Sequence, residues 1–236
     1  MNWQNEDICA VLDCKTTTEV FQFLQNEMRR LGMQSVSWVM KMPLPLLDPK
    51  IVIFNTYSKA WEKQYFANNY LAIDPTIKHG MNSSLPILWS DKRISQEAPE
   101  FWEEARSFGL GVGFAQSVFD RQHMCSMLTL CRDSLDFSGV ELADKAPRFS
   151  WLAQLTHAGM TRLIVPKEMP ETTANLTVRE KEVLKLVASG MTSQDIADRL
   201  HVAKRTADFH IEEATKKLGA ENRTDAAVKT IILGLA

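Results

Sequence analysis

Tyr57, Trp61, Tyr65, Asp74, Thr76 and Trp89 crowd a short span of a 236-residue chain. Tyr57, Trp61 and Tyr65 are spaced four apart, so a helix beginning near Ser58 would carry them along one face. Rings of this kind offer apolar area for a small molecule, and their phenol and indole tips offer a few fixed polar groups to orient it. The same spacing also makes ordinary hydrophobic core. Asp74 favours the pocket, because a carboxylate sunk among aromatics is costly without a hydrogen-bond donor to meet it. A second set lies near the other end of the chain. Lys204, Arg205, Lys216 and Lys217 are suited to phosphates, with Thr206 and His210 as polar groups among them.

The second set needs a rigid helix, and the flanking sequence supplies one. Thr177 with Glu180 forms a capping box that starts a helix, whose stripe of Val183, Leu184, Leu186 and Val187 ends at Gly190. Thr192 with Asp195 is a looser box, opening a short helix through Ile196, Ala197 and Leu200. The segment 204–218 should turn Phe209, Ile211 and Leu218 inward and its cations, Thr206 and His210 outward. A fourth helix, 222–233, closes the bundle. This is a helix-turn-helix pattern in which the third helix enters a major groove and the second braces the phosphate backbone. From residue 171 to the end, ten basic residues face ten acidic ones. A neutral domain releases few counterions, so two copies are expected to act together on DNA.

The first set needs a scaffold of another kind. The segment 19–31 reads as an amphipathic helix and 35–42 and 50–56 as strands, with Pro43, Pro45 and Pro49 in the loop between them. A second hairpin is expected from 112–119 and 125–132 around 120–123. The stretch 137–163 has a helical apolar stripe from Val140 to Leu163, interrupted near Pro147, that is expected both to cover a sheet and to serve a dimer seam. The fold class is therefore α+β: an N-terminal α-β-α sandwich around an antiparallel sheet, plus an all-α four-helix helix-turn-helix domain. The expected domains are 1–164 and 176–236, with an aperiodic linker at 165–175 containing Pro166 and Pro170.

Length and a hydrophobic content of 45% suit two globular domains. The sequence has no apolar run long enough for a membrane span and no signal-like start, so a cytoplasmic protein is expected. Cys9, Cys14, Cys125 and Cys131 are spaced unlike a zinc cluster and are expected as thiols; no metal or cofactor is implied.

The run LTVREKEVLKLVASGMTSQDIADRLHVAKRTADFHIEEATKKLGAENRTDAAVKTIILGLA resembles the DNA-binding domain of LuxR-type transcription factors over its whole length, with Glu180, Leu184 and Gly190 on that family's signature positions. Tyr57, Trp61, Tyr65, Asp74-Pro75, Trp89 and Gly113 likewise resemble the family's autoinducer-binding domain. The resemblance implies a bacterial, nucleoid-associated, quorum-sensing regulator that binds an N-acyl-homoserine lactone and, as a homodimer, an inverted repeat in double-stranded DNA, with RNA polymerase as a further partner. It implies that the Trp61 indole donates to the lactone carbonyl, that Asp74 accepts the ligand amide N–H, and that Tyr57 and Thr129 donate to the amide carbonyl. Tyr65, Trp89, Phe101 and Trp102 would wall the ring, with Thr76 beside Asp74. Met127 would project into the acyl end and favour a medium chain. The expected DNA-facing residues are Thr192, Lys204, Arg205, Thr206, Asp208, His210, Glu212, Lys216 and Lys217.

Two positions depart from the family pattern. Ala203 replaces the usual capping Ser of the third helix, and Asp208 and Glu212 stand where relatives often carry Asn or Arg. Acidic side chains repel phosphates, although they can accept from cytosine amines. The alternative is thus a LuxR-type regulator that is independent of ligand or binds DNA weakly. An enzyme is not indicated, since no metal spacing, phosphate loop or nucleophile motif occurs. A phosphorylated receiver is disfavoured because the N-terminal half lacks strand-helix alternation.

Overall fold

The computed structural model describes residues 3–133 and 136–235, so residues 1 and 236, the outer ends of the expected domains, lie outside it. Contacts divide the chain into two compact units. One comprises residues up to 42 with 50–119 and 125–163; the other comprises 43–49, 120–124 and the chain from 164 onward.

In the first unit, α1 (Trp3–Asp13) and α2 (Thr17–Arg30) precede β1 (Ser35–Lys41) and β2 (Ile51–Asn55). Then come α3 (Lys59–Ala67), a 3-10 turn at Tyr70–Ala72, α4 (Pro75–Gly80), β3 (Ile87–Leu88), α5 (Lys92–Ser95) and α6 (Pro99–Ser107). The strands β4 (Val112–Phe119) and β5 (Cys125–Arg132) lead to α7 (Gly139–Glu168). Both expected hairpins form, and antiparallel pairing of β1 with β5 joins them into one sheet of order β2-β1-β5-β4-β3. Thr16 starts α2 by accepting from the Glu19 amide, so that helix begins slightly before the expected 19–31.

The strand period of two sorts the side chains between two faces. Trp38, Leu128 and Gln116 share one face, and Ser37, Thr129 and Ala115 share the other. The first face meets α2 and α7: Phe21 packs 5.6 Å from Phe54, Phe114 lies 5.1 Å from Phe149, and Ser126 Oγ is 2.8 Å from His157 Nδ1. A Cβ added to Gly159 of α7 would come 2.4 Å from Val11 Cγ1, so α1 seats directly on a glycine. Arg148 pairs with Asp7 and, at 2.6 Å, with Glu27, tying α7 to α1 and α2. The opposite face is covered by α3 to α6, which completes an α-β-α sandwich.

The expected break at Pro147 is not found. Proline removes one amide donor and crowds the carbonyl four residues earlier. Anchoring on both sides of it, through the Arg132–Glu141 pair to β5, the Lys145–Glu141 pair along the helix, and fully buried Phe149 and Leu152, holds α7 unbroken. Its last residues, Val165–Glu168, continue the helix into the segment expected as linker, and Pro170–Thr173 forms a 3-10 turn.

The second unit contains α8 (Val178–Ala188), α9 (Ser193–Leu200), α10 (Lys204–Lys217) and α11 (Arg223–Ile232). Both capping boxes are present, Thr177 with Glu180 and Thr192 with Asp195. Gly190 has a φ of 83°, the left-handed region that lets the chain turn just past α8. Leu184 packs with Leu176, Ala214, Leu218 and Ala226, and Val183 with Ile196, Ala197, Ala207 and Ile211. Among the described residues, no helix is long and apolar enough to cross a membrane.

Candidate functional site

The aromatic set assembles on the second face of the sheet. Asn55 at the end of β2 accepts from the Tyr57 amide, and the Ser58 hydroxyl caps α3 by accepting from Trp61 N at 3.1 Å. Tyr57 therefore precedes the helix instead of lying on it. It still joins Trp61 and Tyr65 at the cluster, because the turn at Ser58 folds its ring onto the sheet. The hydroxyl end of Tyr57 lies in the interior beside the Cys131 thiol, and burial pushes the phenol well above its ordinary range. Burial likewise pushes the Cys131 thiol up to about 12.

Trp61 and Tyr65 stack edge to face at 5.7 Å. Phe101 lies 6.1 Å from Trp61, and Trp102 lies 5.4 Å from Trp89. The Trp102 indole donates to the Ile94 carbonyl at 3.1 Å. Trp89 is pressed on Gly113, where an added Cβ would come 2.4 Å from the ring, so glycine there is a packing requirement. Met127 and Thr129 project from the same face of β5 and are both buried.

Asp74 lies at the N-cap of α4, followed by Pro75 at the first helical position. Its Oδ1 accepts from Thr76 N at 2.8 Å and Thr76 Oγ1 at 2.7 Å, and its Oδ2 accepts from Tyr65 Oη at 2.9 Å. Burial raises its carboxyl above the ordinary range, although the bonds from Thr76 and Tyr65 pull the other way. The Asp74 carboxylate raises the Tyr65 phenol further, after burial itself. The Ile77 amide bears on the carboxylate as well, so Asp74 is a fixed acceptor whose Oδ1 takes both Thr76 bonds and whose Oδ2 takes the one from Tyr65.

The structure thus brings the expected ligand-side residues together: Trp61, Trp89, Phe101, Trp102 and Met127 in one cluster, Tyr57 and Tyr65 against it, Asp74 and Thr76 joined through Tyr65, and Thr129 on the shared strand face. Sequence reading missed Tyr70, whose ring lies 5.3 Å from Phe101 and whose hydroxyl donates to Glu104. It sits on the 3-10 turn after Asn69, a left-handed residue with φ 53°, where helical periodicity gives no signal. Its place inside an aromatic-rich stretch was the available clue.

On the second unit, Lys204, Arg205 and Thr206 form the exposed first turn of α10, and Ala203 supplies no side-chain cap. Asp208 and His210 are half-buried and Glu212 is exposed. Thr192 spends its hydroxyl on the cap of α9, donating to Asp195 at 2.7 Å. Lys216 pairs with Glu213 at 2.9 Å, and Lys217 reaches both carboxylate oxygens of Glu180 at 2.8 Å. Burial opposes the Glu180 charge, yet Lys217 and the Thr177 amide hold its carboxyl below the ordinary range. One expectation fails outright: Phe209 is 56% exposed. Ala207, Ile211, Ala214 and Leu218 complete the buried stripe by themselves, and a residue two positions after Ala207 and two before Ile211 faces away from it.

A sheet with an aromatic, acid-bearing face and a separate four-helix unit of helix-turn-helix form together define a transcription regulator governed by a small molecule. Residues 16–160 match the family described as "Autoinducer binding domain", and residues 174–230 match "Bacterial regulatory proteins, luxR family". The transcriptional activator protein AnoR of Acinetobacter nosocomialis is 36% identical over 99% of both chains. The quorum-sensing regulator RhlR of Pseudomonas aeruginosa is 34% identical over 92% of this chain and 89% of its own. A crystal structure of Escherichia coli SdiA superposes with a TM-score of 0.83 at 28% identity, covering 99% of this chain and 97% of that one, and another holds octanoyl-rac-glycerol. The chain belongs to the LuxR family of quorum-sensing transcriptional regulators, with an autoinducer-binding domain and a helix-turn-helix DNA-binding domain.

Proposed function

We propose that the effector is an N-acyl-homoserine lactone of medium acyl length, bound by residues 1–164. The observation that carries this reading is Asp74: a buried carboxylate fixed by Thr76 and Tyr65 beside an aromatic cluster, an acceptor whose chemistry suits an N–H. An acyl amide supplies that N–H. An acyl ester, such as the octanoyl glycerol held by SdiA, has no N–H there and could meet the carboxylate only through a glycerol hydroxyl placed further from the acyl carbonyl. In this reading Trp61 donates to the lactone carbonyl, and Tyr57 and Thr129 donate to the amide carbonyl. Tyr65, Trp89, Phe101 and Trp102 surround the ring, and Met127 limits the chain. Titration of the full-length protein with octanoyl homoserine lactone and with octanoyl glycerol is the test. The lactone should bind more tightly, and Asp74→Asn should abolish the difference; equal affinity in the unaltered protein overturns the assignment.

Residues 176–236 bind an inverted repeat as a homodimer, connected through 165–175 to the effector domain, and recruit RNA polymerase in the bacterial cytoplasm at the nucleoid. Two copies on a palindrome add their binding energies before the linking cost, which a neutral domain needs. An apolar groove of about 360 Å³ lined by Val187, Ala227, Val228, Ile231 and Ile232 supports a seam along α11, with Ile231 half exposed. Sedimentation with lactone and an inverted-repeat duplex should give two chains per duplex, and Ile231→Asp should weaken DNA binding. One chain per duplex at saturation refutes the dimer.

A second reading has its own support. Asp208 and Glu212 lie on α10 beside cations that acids of the same unit engage, Lys216 by Glu213 and Lys217 by Glu180. That arrangement suits a regulator with weak DNA affinity or with activity independent of ligand, and a salt series on operator binding with and without lactone separates the two.

A further inference from the structure

Ser117 projects from β4 on the ligand-side face, directly opposite Met127 of β5. It is 1% exposed, and its hydroxyl has no hydrogen-bond partner among the described residues. Gly80, the last residue of α4, sits immediately over it: a Cβ added there would come 2.6 Å from Ser117 Oγ and 2.7 Å from Met127 Sδ. The helix that begins at Asp74 therefore ends on a floor made of Ser117 and Met127. The other serine of this hairpin interior, Ser126 on the opposite face, is satisfied by His157. A buried hydroxyl without a partner forfeits its hydrogen bond to water, a cost that persists unless something meets it.

We infer that Ser117 is a specificity-determining residue that hydrogen-bonds an oxygen carried on the effector's acyl chain, a few carbons beyond the amide. The inference rests on the proposed lactone reading, which puts the amide carbonyl at Thr129. The Ser117–Met127 pair lies two residues further along β5, about 6.6 Å on at the usual strand rise. An unmodified chain passing that point touches the hydroxyl with methylene and leaves it unsatisfied. A hydroxyl or keto oxygen satisfies it. Met127 sets how far the chain extends, and Ser117 sets which chain is preferred.

The experiment measures dissociation constants of the full-length protein for octanoyl, 3-hydroxyoctanoyl and 5-hydroxyoctanoyl homoserine lactone, in unaltered, Ser117→Ala, Ser126→Ala and Asp74→Asn forms. The unaltered protein should favour one hydroxylated chain over the plain one by about fivefold to tenfold, the range of one buried neutral hydrogen bond. Ser117→Ala should erase that preference while keeping affinity for the plain chain, and its ligand-free melting temperature should equal or exceed that of the unaltered protein. Ser126→Ala should lower the melting temperature and keep the preference. An unchanged preference in Ser117→Ala, or none in the unaltered protein, overturns the inference and leaves the lactone reading intact. Failure of all three lactones to bind the unaltered protein, with Asp74→Asn no different, overturns both.

Discussion

The two units carry their chemistry in opposite places. In the first it is interior: Asp74, Thr129 and the rings around Trp61 are sheltered, and each polar group there is either met by a neighbour or costly. In the second it is exterior: α10 shows Lys204, Arg205, Thr206 and Glu212 to solvent, and its interior is plain aliphatic packing. An interior site is constrained by desolvation, which makes small chemical changes expensive. An exterior site is constrained only by the fold beneath it, so its residues can drift and specificity can drift with them.

The sharpest way to break this comparison is a matched pair of substitutions. Asp74→Asn should weaken lactone binding on the order of a hundredfold, since it disturbs a buried charge-assisted acceptor. Asp91→Asn, at the half-buried cap of α5 and outside the aromatic cluster, should leave affinity within about twofold. Equal effects in isothermal titration would remove Asp74 from the site. Next in size, Gly113→Ala should destabilise the protein by about 1–3 kcal/mol through overpacking against Trp89. Chemical denaturation measures it, and a neutral result would mean that the ring moves freely.

On the exterior side, the two lysines at the ends of α10 should behave differently. Lys217→Ala strips Glu180 of its partner and should lower the melting temperature of the second unit, whereas Lys204→Ala should leave it unchanged and reduce the salt slope of DNA binding by about one. Asp208→Asn with Glu212→Gln should change which operator positions are selected from a random pool. Unchanged selection would mean that neither reads a base.

The smallest effect is in acid. Arg132 and Lys145 hold the Glu141 carboxyl down to about 2. A depressed carboxyl stabilises the fold fully above its ordinary range near pH 4.5 and loses that contribution as pH falls toward 2. Glu141→Gln should therefore flatten the acid limb of stability against pH. Asp74 has the opposite sign: its raised carboxyl opposes folding at neutral pH, and acidification relieves it.

How much of this was readable from sequence divides along the same line. The caps at Thr177 and Thr192 are local chemistry, so α8 and α9 could be placed before any tertiary information. The two hairpins followed from alternation, but the β1–β5 pairing that joins them is a contact between distant segments that no local pattern encodes. Pro147 and Phe209 failed for different reasons: tertiary packing overrides the intrinsic preference of Pro147, whereas the helical period turns Phe209 outward despite its apolar ring. Within the site, residue types gave the rings and the acid, whereas Tyr70, Ser117 and Gly80 come into view only when α4 and the 3-10 turn are laid on the sheet.

The packing of Trp61, Trp89 and Trp102 with Tyr65, Tyr70 and Phe101 also makes the first unit its own optical probe. Indoles fixed at 5–6 Å from other rings sit in a chiral, rigid environment, which gives near-ultraviolet circular dichroism that vanishes when side-chain packing is lost. Any molecule that threads between those rings must change their emission and their dichroism together. Occupancy of the domain can then be followed in unlabelled protein, with no reporter gene, in light of about 280–300 nm absorbed by the same rings that form the wall of the site.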